Sequence, residues 1–574
     1  MAEFRSSIPL PYVPDDLTIP QFLLDDYKHP IGEMRKGNND VWFIDDSTGK
    51  RFSYGEGIQL KARTNYLVLG LASFYNILDN DVVLIISPNH IDYIVATWAL
   101  QRLGAVVATA NPLFTTEELV QLLDMCKVTK IITDERFLTS VGPAADAAGI
   151  PTSSILLFDI SEIRTGVPIT TISDLVNEGQ KSTDEVPGRT LEPGGARKKI
   201  ALIFFSSGTT GKPKAVALSH YAVIASIIQM TALQRENGKP RGPGKWALLS
   251  EDVITGLLPF SHVYGLVANV YWACFLGLIV DVFPKFTLAA FLTSITKYRI
   301  AHLYLVPPHV VSICKDPSIE FQDYSHVKLI FTGAASLSVP LMHKAIDVFS
   351  NASIAQGYGM TEIMVAALQS PMQRINDGSC GQLLPGIVAK VVRADGTLAR
   401  PNETGELVMS SPSNALGYIG NDEATKATFV DGWVHSGDEV RVTETGDIFV
   451  VERLKELINV QGIQVAPAEL EDHLMAHPHV ADACVIPVPD EHTGELPLAF
   501  VVPSVAAKKL MKNGMSEDDV KTEIQKHVSD HKVKDKWLAG GVRFIDSVPK
   551  SPSGKILRRV LRESLRNNGI ASAA

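Results

Sequence analysis

The segment SSGTTGKPK, Ser206 to Lys214, gathers groups that hold anions. The hydroxyls of Ser206, Ser207, Thr209 and Thr210 can donate hydrogen bonds, Gly208 and Gly211 let backbone amides converge, and Lys212 and Lys214 add positive charge. The segment directly follows the strand-like ALIFF, so polyphosphate is the expected guest of a loop carried on a buried strand. It is not a Walker A loop, because the GxxxxGK[ST] spacing is absent and Pro213 stands where the helix and its magnesium-binding hydroxyl would follow. A flexible surface turn is the plainer alternative for the same composition.

Four further places carry chemistry of the same kind. In QGYGMTE, Gln356 to Glu362, Gly357 and Gly359 permit a tight backbone around Tyr358, whose ring offers a flat face to a purine. Thr361 and Glu362 supply the hard oxygens that magnesium prefers, although a Gly-rich turn with a buried tyrosine would look alike. Gly333, Ala334 and Ala335 are small enough for a base to lie against backbone, and equally small enough to pack a helix. Asp438 is an acceptor-only carboxylate suited to two ribose hydroxyls, or else an exposed turn residue. Lys555 lies in SPSGK, where Pro552 and Gly554 shape a tight loop that can project one ammonium. Such a charge can offset negative charge on phosphate oxygens. An exposed lysine beside a basic tail is the competing reading. His262 sits in an uncharged stretch, where an imidazole is commonly a satisfied core residue.

The elements that must position these groups show in the periodicity. Apolar runs at Asp81 to Ser87, Lys130 to Thr133, Ile155 to Phe158 and Ile200 to Phe205 alternate with amphipathic stretches, the pattern of βα units with buried parallel strands. Ala301 to Val306 and Lys328 to Thr332 begin a second series. Past Gly381 the texture changes to short, turn-rich strands, and past Glu452 to an α+β piece with helices near Pro467 to Ala476 and Ser516 to Ser529. The fold class is therefore α/β: a large N-terminal domain of two stacked α/β subdomains plus a β-rich subdomain, residues 1–451, and a small mobile α+β C-terminal domain, residues 452–574. Lys181 to Arg197 reads as a Pro/Gly-rich charged linker.

Composition narrows the partners. With 574 residues, 45% hydrophobic and 20% charged, the chain can bury several cores. A net charge of -10 with no basic stripe disfavours nucleic acid. Five scattered cysteines without a CxxC pair point to a reducing compartment and no zinc cluster of cysteines. The first residues lack the basic and apolar regions of a secretory signal, and the last are not a peroxisomal tripeptide, so a cytoplasmic location is expected. The uncharged run between Asp252 and Asp281 is long enough to cross a bilayer, but Pro259, Ser261, His262 and Asn269 interrupt it, so a buried loop and helix are expected.

Ser206 to Lys214 resembles the phosphate loop of the acyl-adenylating superfamily, which includes acyl-CoA synthetases, firefly luciferase and peptide-synthetase adenylation domains. Further matches follow in order: ATANPLFTTEEL from Ala108, PFSHVYG from Pro259, TGAASLS from Thr332, QGYGMTE from Gln356, GWVHSGD from Gly432, ERLKELINVQGIQVAPAELE from Glu452 and PKSPSGKILRR from Pro549. The branch it looks most like is the 4-coumarate:CoA ligases, over about residues 100 to 560.

The resemblance implies an enzyme, an AMP-forming acid:CoA ligase that uses ATP, Mg2+ and coenzyme A. The acid would be aryl, hydroxycinnamate-like, or a medium- to long-chain carboxylic acid. Delivery of the acyl group to a carrier protein or another acceptor is the alternative. By the same resemblance Lys555, His262, Thr361 and Glu362 are catalytic, and Glu362 with Thr210 holds the metal. The nucleotide and coenzyme fall to Ser206, Ser207, Gly208, Thr209, Thr210, Gly211, Lys214, Gly333, Ala334, Ala335, Gln356, Gly357, Tyr358, Gly359, Asp438, Arg453, Lys455, Gly462 and Gln464. The acid falls to His262, Val263, Tyr264, Gly357, Ile363 and Met364. Lys555 would swing about a pivot at Glu452, where relatives usually carry Asp or Lys. The protein would act as a monomer or homodimer without a transmembrane span.

Three departures stand out. Ile363 to Ala366 replaces an AGPV-like stretch of the acid pocket, which favours an apolar tail over a fixed ring. Asn459 to Gly462 replaces a KYKG-like run and loses two positive charges along the CoA channel. Ala215 stands where the phosphate loop usually ends in glycine, with a minor effect expected.

Overall fold

The computed structural model describes residues 3–25, 27–32, 41–54, 58–159, 169–186, 189–207, 213–237, 248–316, 319, 322–369, 378–454, 456–460, 463–490, 493–551 and 554–567. The chain forms two compact units. The larger comprises Glu3–Ala389 and Val408–His435, the smaller Lys390–Leu407 and Ser436–Ala574.

The larger unit contains two mixed sheets. In one, the strands run in spatial order Gly417–Tyr418, Pro213–Ser219, Ile200–Ser207, Val106–Ala110, Val82–Ile86, Val128–Thr133 and Ile155–Leu157, parallel from Ile200–Ser207 onward. These are the apolar runs of the sequence. Strands covered by helices on both faces have no solvent side, so they show continuous rather than alternating hydrophobicity. Their inward residues, among them Leu84, Ala108, Ile131 and Ile203, pack on Leu119, Leu122 and Leu123 of helix Thr116–Cys126. That helix starts at a capping box, Thr115 with Glu118, within the ATANPLFTTEEL motif.

The second sheet has ten strands, with a parallel centre of Ser353–Met360, Leu329–Thr332, Ile300–Leu305, Val253–Gly256, Ile279–Val282 and Val41–Asp45. Buried Asn89, just past a strand of the first sheet, joins the two. Its amide donates to the carbonyls of Gly256, Leu257 and Leu258 at 3.0–3.2 Å and accepts from Phe260 N at 2.8 Å. The uncharged stretch resolves into strand Val253–Gly256, a loop, a π-helix Tyr264–Tyr271, helix Trp272–Leu276 and strand Ile279–Val282. Among the described residues, no helix is long and apolar enough to cross a membrane.

The described part of the expected linker Lys181 to Arg197 runs outside helix and strand from Ser182 to Val186 and from Arg189 to Gly194, and is tied down at two points. Arg189 O accepts from Gln21 Nε2 at 2.9 Å, its guanidinium pairs with Asp79 at 2.5 Å, and Arg197 pairs with Asp15 at 3.0 Å. Two of its arginines make ion pairs, while Asp184, Glu185 and Glu192 are exposed to solvent.

The smaller unit carries an antiparallel ladder that pairs Asp438 through Val442 with Arg453 through Ile448, and a five-stranded sheet built on the long pair Val480–Asp490 and Gly494–Pro503. Helices Pro467–Met475 and Glu517–His531 cover that sheet with Leu470, Leu474, Val520, Ile524 and Val528. The sequence boundary at residue 452 falls within strand Ile448–Arg453.

Candidate functional site

Three motifs of the larger unit sit at carboxyl ends of parallel strands in the second sheet, the edge where open α/β sheets bind ligands. They are Pro259–Gly265 after Val253–Gly256, Gly333–Ser338 after Leu329–Thr332, and Tyr358–Glu362 at the end of Ser353–Met360. The Ser206–Lys214 motif sits at the corresponding end of Ile200–Ser207 in the first sheet.

Ser206 and Lys214 face each other across an antiparallel ladder, as do Ser207 and Pro213. The motif is thus a hairpin, not the strand–loop–helix of a Walker A site. Gly208, Thr209, Thr210, Gly211 and Lys212 lie outside the described residues. Ala215 is fully buried opposite Phe205, and its carbonyl accepts from Ile419 N at 2.8 Å. Its methyl group fills core beneath the strand.

Thr361, Glu362 and Ile363 form the turn between strands Ser353–Met360 and Met364–Leu368. Met364 closes it with φ of +68°, and Gly359 is required because a Cβ there would lie 2.0 Å from Met364 O. Glu362 is buried, and its Oε1 accepts from the Tyr418 hydroxyl at 2.7 Å. The Tyr418 ring in turn lies 4.6 Å from Lys214 Nζ, so one aromatic side chain joins the hairpin lysine to the turn carboxylate. Burial, then Glu362, pushes the Tyr418 phenol well up, so its proton stays on oxygen as a donor. Tyr418 was not legible as a site residue. Its strand pairs Val216 with Tyr418 from two hundred residues away, and no local spacing signals that.

His262 is half-buried, and its Nδ1 accepts from Tyr264 N at 3.1 Å. Neutral His262 therefore carries its proton on Nε2, which makes that nitrogen a donor. The π-helix begins at Tyr264, whose ring meets Phe331 edge-on at 6.0 Å, while Gly265 passes so close to Pro259 O that a Cβ would lie 2.2 Å away. Val263, Ile363 and Met364 are buried. Ala334 and Ala335 are exposed, Ala334 at φ of +68°, and a Cβ on Gly333 would press the Tyr264 ring at 3.2 Å. Gln356 is buried, and its side-chain oxygen accepts from Leu337 N at 2.8 Å, which fixes the Gly333–Leu337 loop. Gly357 touches Phe331, where a Cβ would lie 2.7 Å from the ring, and Tyr358 is half-buried.

In the smaller unit Asp438 stands opposite Arg453 in the ladder, and Arg453 Nε lies 3.2 Å from Asp438 Oδ1. Lys555 follows a tight loop: Gly554 has φ of +80°, Lys555 N donates to Ser551 Oγ at 3.1 Å, and Ser551 N donates to Lys555 O at 2.8 Å. Pro552 and Ser553 lie outside the described residues, as do Lys455, Gln461 and Gly462. Burial, then the Arg453 guanidinium, pushes the Lys555 amine down to about 8, against Glu456 and Asp438. Lys555, Asp438 and Arg453 are thus electrostatic neighbours within one unit. Gln464 is exposed on strand Ile463–Val465. Glu452 is buried, with its carboxylate accepting from Arg453 N at 2.9 Å and from Ala468 N at 3.0 Å.

This architecture is that of the adenylate-forming enzymes. ATP-bound MatB from Rhodopseudomonas palustris superposes with a TM-score of 0.79 at 22% identity, covering 97% of this chain and 100% of that one. The anthranilate CoA ligase AuaEII, in complex with anthranoyl-AMP, does so with 0.81 at 20% identity, covering 97% and 99%. In sequence, residues 33–419 match the AMP-binding enzyme family and residues 469–555 its C-terminal domain. A 4-coumarate–CoA ligase of Oryza sativa subsp. japonica is 32% identical over 98% of this chain and 97% of its own length, and one of Solanum tuberosum is 32% identical over 98% and 96%. The chain belongs to the AMP-binding enzyme family.

Proposed function

We propose that this AMP-forming acid–CoA ligase activates a hydroxycinnamate-like aryl acid, with a medium- or long-chain acid as the second candidate. The single observation that supports the ATP-handling part of this reading is the Lys214–Tyr418–Glu362 arrangement, which lines up a cation, a phenol donor and a buried carboxylate within the motifs that resemble the family's phosphate and metal sites. Val263, Tyr264 and the names of the 4-coumarate–CoA ligases support the aryl acid. Ile363 and Met364 support the apolar chain.

The reaction has two displacements. A carboxylate oxygen of the acid attacks the α-phosphorus of ATP and pyrophosphate leaves, giving acyl-AMP. The CoA thiolate then attacks the acyl carbon and AMP leaves. His262, a donor at Nε2, orients the carboxylate and α-phosphate. Ser206, Ser207, Lys214 and the hairpin between them hold the polyphosphate. Tyr358, with the Gly333–Ala335 loop, takes the adenine, and Thr361 the phosphate. In the smaller unit Asp438 and Arg453 take the ribose, and the Lys555 ammonium offsets charge in the first displacement. Glu362 fits a magnesium ion: one oxygen is held by Tyr418, and the other has no hydrogen bond among the described residues. Magnesium binds through one or two carboxylates together with phosphates and would supply charge against the polyphosphate.

The test is pyrophosphate release by the purified full chain with ATP, Mg2+ and a panel of aryl and fatty acids, followed by mass spectrometry for the thioester after CoA is added. Pyrophosphate with a hydroxycinnamate and a matching CoA thioester is expected. No pyrophosphate with any acid would sink the reading, and acyl-AMP without thioester would point to another acceptor.

A further inference from the structure

Five of the 15 histidines of the chain, His473, His477, His479, His527 and His531, fall on one patch of the smaller unit. The reaction gives them no task. His473 lies on helix Pro467–Met475, and His527 and His531 lie one turn apart on helix Glu517–His531. The rings of His473 and His527 stack at 4.3 Å with 9° between their planes, and His531 approaches them at 5.4 and 5.1 Å. One ring nitrogen from each of these three lies within 4.8 Å of the other two.

We propose that His473, His527 and His531 form a binding site for a borderline divalent transition-metal ion of the zinc or nickel type, which staples the two helices. Two histidines at i and i+4 on one helix face present adjacent nitrogens to a metal, and the third comes from the neighbouring helix. Each of the three rings also meets a backbone carbonyl. His473 Nε2 lies 3.2 Å from His527 O, His527 Nε2 3.3 Å from His473 O, and His531 Nδ1 2.8 Å from His527 O. A carbonyl only accepts, so each of those nitrogens carries the proton and the other nitrogen of the ring keeps a lone pair. Donation of the second N–H to a carbonyl is the usual support of a metal-bound imidazole. A tetrahedral ion with Zn–N bonds of about 2.0–2.1 Å needs nitrogens roughly 3.4 Å apart. Exposed His531, on the last turn of its helix, has the rotamer freedom to close that gap. Water would fill the fourth position.

The test uses the full chain, stripped with EDTA and desalted, and zinc chloride as the probe, in competition with a chromophoric chelator. One equivalent of zinc and a higher melting temperature in its presence are expected. His531→Ala, at an exposed position, and His473→Gln should each weaken zinc binding by roughly tenfold or more. Both should leave pyrophosphate release with ATP and Mg2+ unchanged. Zinc binding of the same strength in both variants, or none that competes with the chelator in the parent, would overturn the site.

Discussion

Arg558 grips Glu471 through two hydrogen bonds from one nitrogen, at 2.8 and 2.7 Å, with both side chains buried in the smaller unit. Its other terminal nitrogen donates to Glu456 at 2.7 Å, and Glu452 lies 4.0 Å away. One guanidinium therefore serves three carboxylates, one of them the residue expected to act as pivot. Glu471 also accepts from Val485 N at 2.7 Å, so the group cannot relax by turning to solvent. Arg558→Met leaves buried negative charge without its partner, a loss of about 3–5 kcal/mol. Denaturant unfolding of the parent and the variant measures it. A cost below about 1 kcal/mol would show that the network is not what holds this end of the unit.

Tyr418→Phe removes the hydroxyl from Glu362 Oε1 and keeps the ring beside Lys214. A hydrogen bond to a charged acceptor is worth about 1.5 kcal/mol, so the Mg2+ and ATP concentrations needed for half-maximal pyrophosphate release should rise roughly tenfold. Titration of each at saturating acid checks it. An unchanged requirement would remove Tyr418 from the site.

The buried strands were legible because continuous apolar runs have few other uses. The run at Asp81 to Ser87 is strand Val82–Ile86, that at Lys328 to Thr332 is Leu329–Thr332, and the expected helix at Pro467 to Ala476 is Pro467–Met475. The placement of the phosphate-type segment between two strands could be read only in part, since Pro213 excluded a helix without specifying a hairpin. The π-helix at Tyr264–Tyr271 has the composition of an α-helix, and its extra residue per turn leaves no periodic mark over eight positions. Tyr418 and the stacked His473–His527 pair are long-range events. The sequence shows the i, i+4 spacing of His527 and His531, but only the packing of two helices brings His473 against them.

Asp281 is fully buried with neither carboxylate oxygen hydrogen-bonded among the described residues. Burial, then the neighbouring Asp46, pushes its carboxyl up to about 8, far above the usual carboxylate range. The folded state then holds a proton that the unfolded chain releases. Its contribution is intact below about pH 4 and is lost as pH rises toward 8, so stability falls across that window. Asp281→Asn keeps the shape without the charge. It should raise stability at pH 8.5 by on the order of 1–3 kcal/mol and flatten the pH dependence of the melting temperature. Parallel melting curves for parent and variant from pH 5 to 8.5 would contradict the assignment.

Lys555 tests the division of labour between the two displacements. Its ammonium is needed where charge builds on phosphate oxygens, and the second displacement removes AMP from a carbonyl, where that charge is already settled. Lys555→Ala should therefore lower acyl-AMP formation by roughly 10²–10³-fold and spare thioester formation from supplied acyl-AMP. With the amine pushed down to about 8, the charged form is lost as pH rises through that value, so pyrophosphate release should decline above it. Lys555→Arg, which stays charged, should move the decline to higher pH even if its rate is lower. Single-turnover measurement of each step from pH 6.5 to 9.5 separates these outcomes. Equal loss of both steps in Lys555→Ala would place the lysine in the fold rather than in the chemistry.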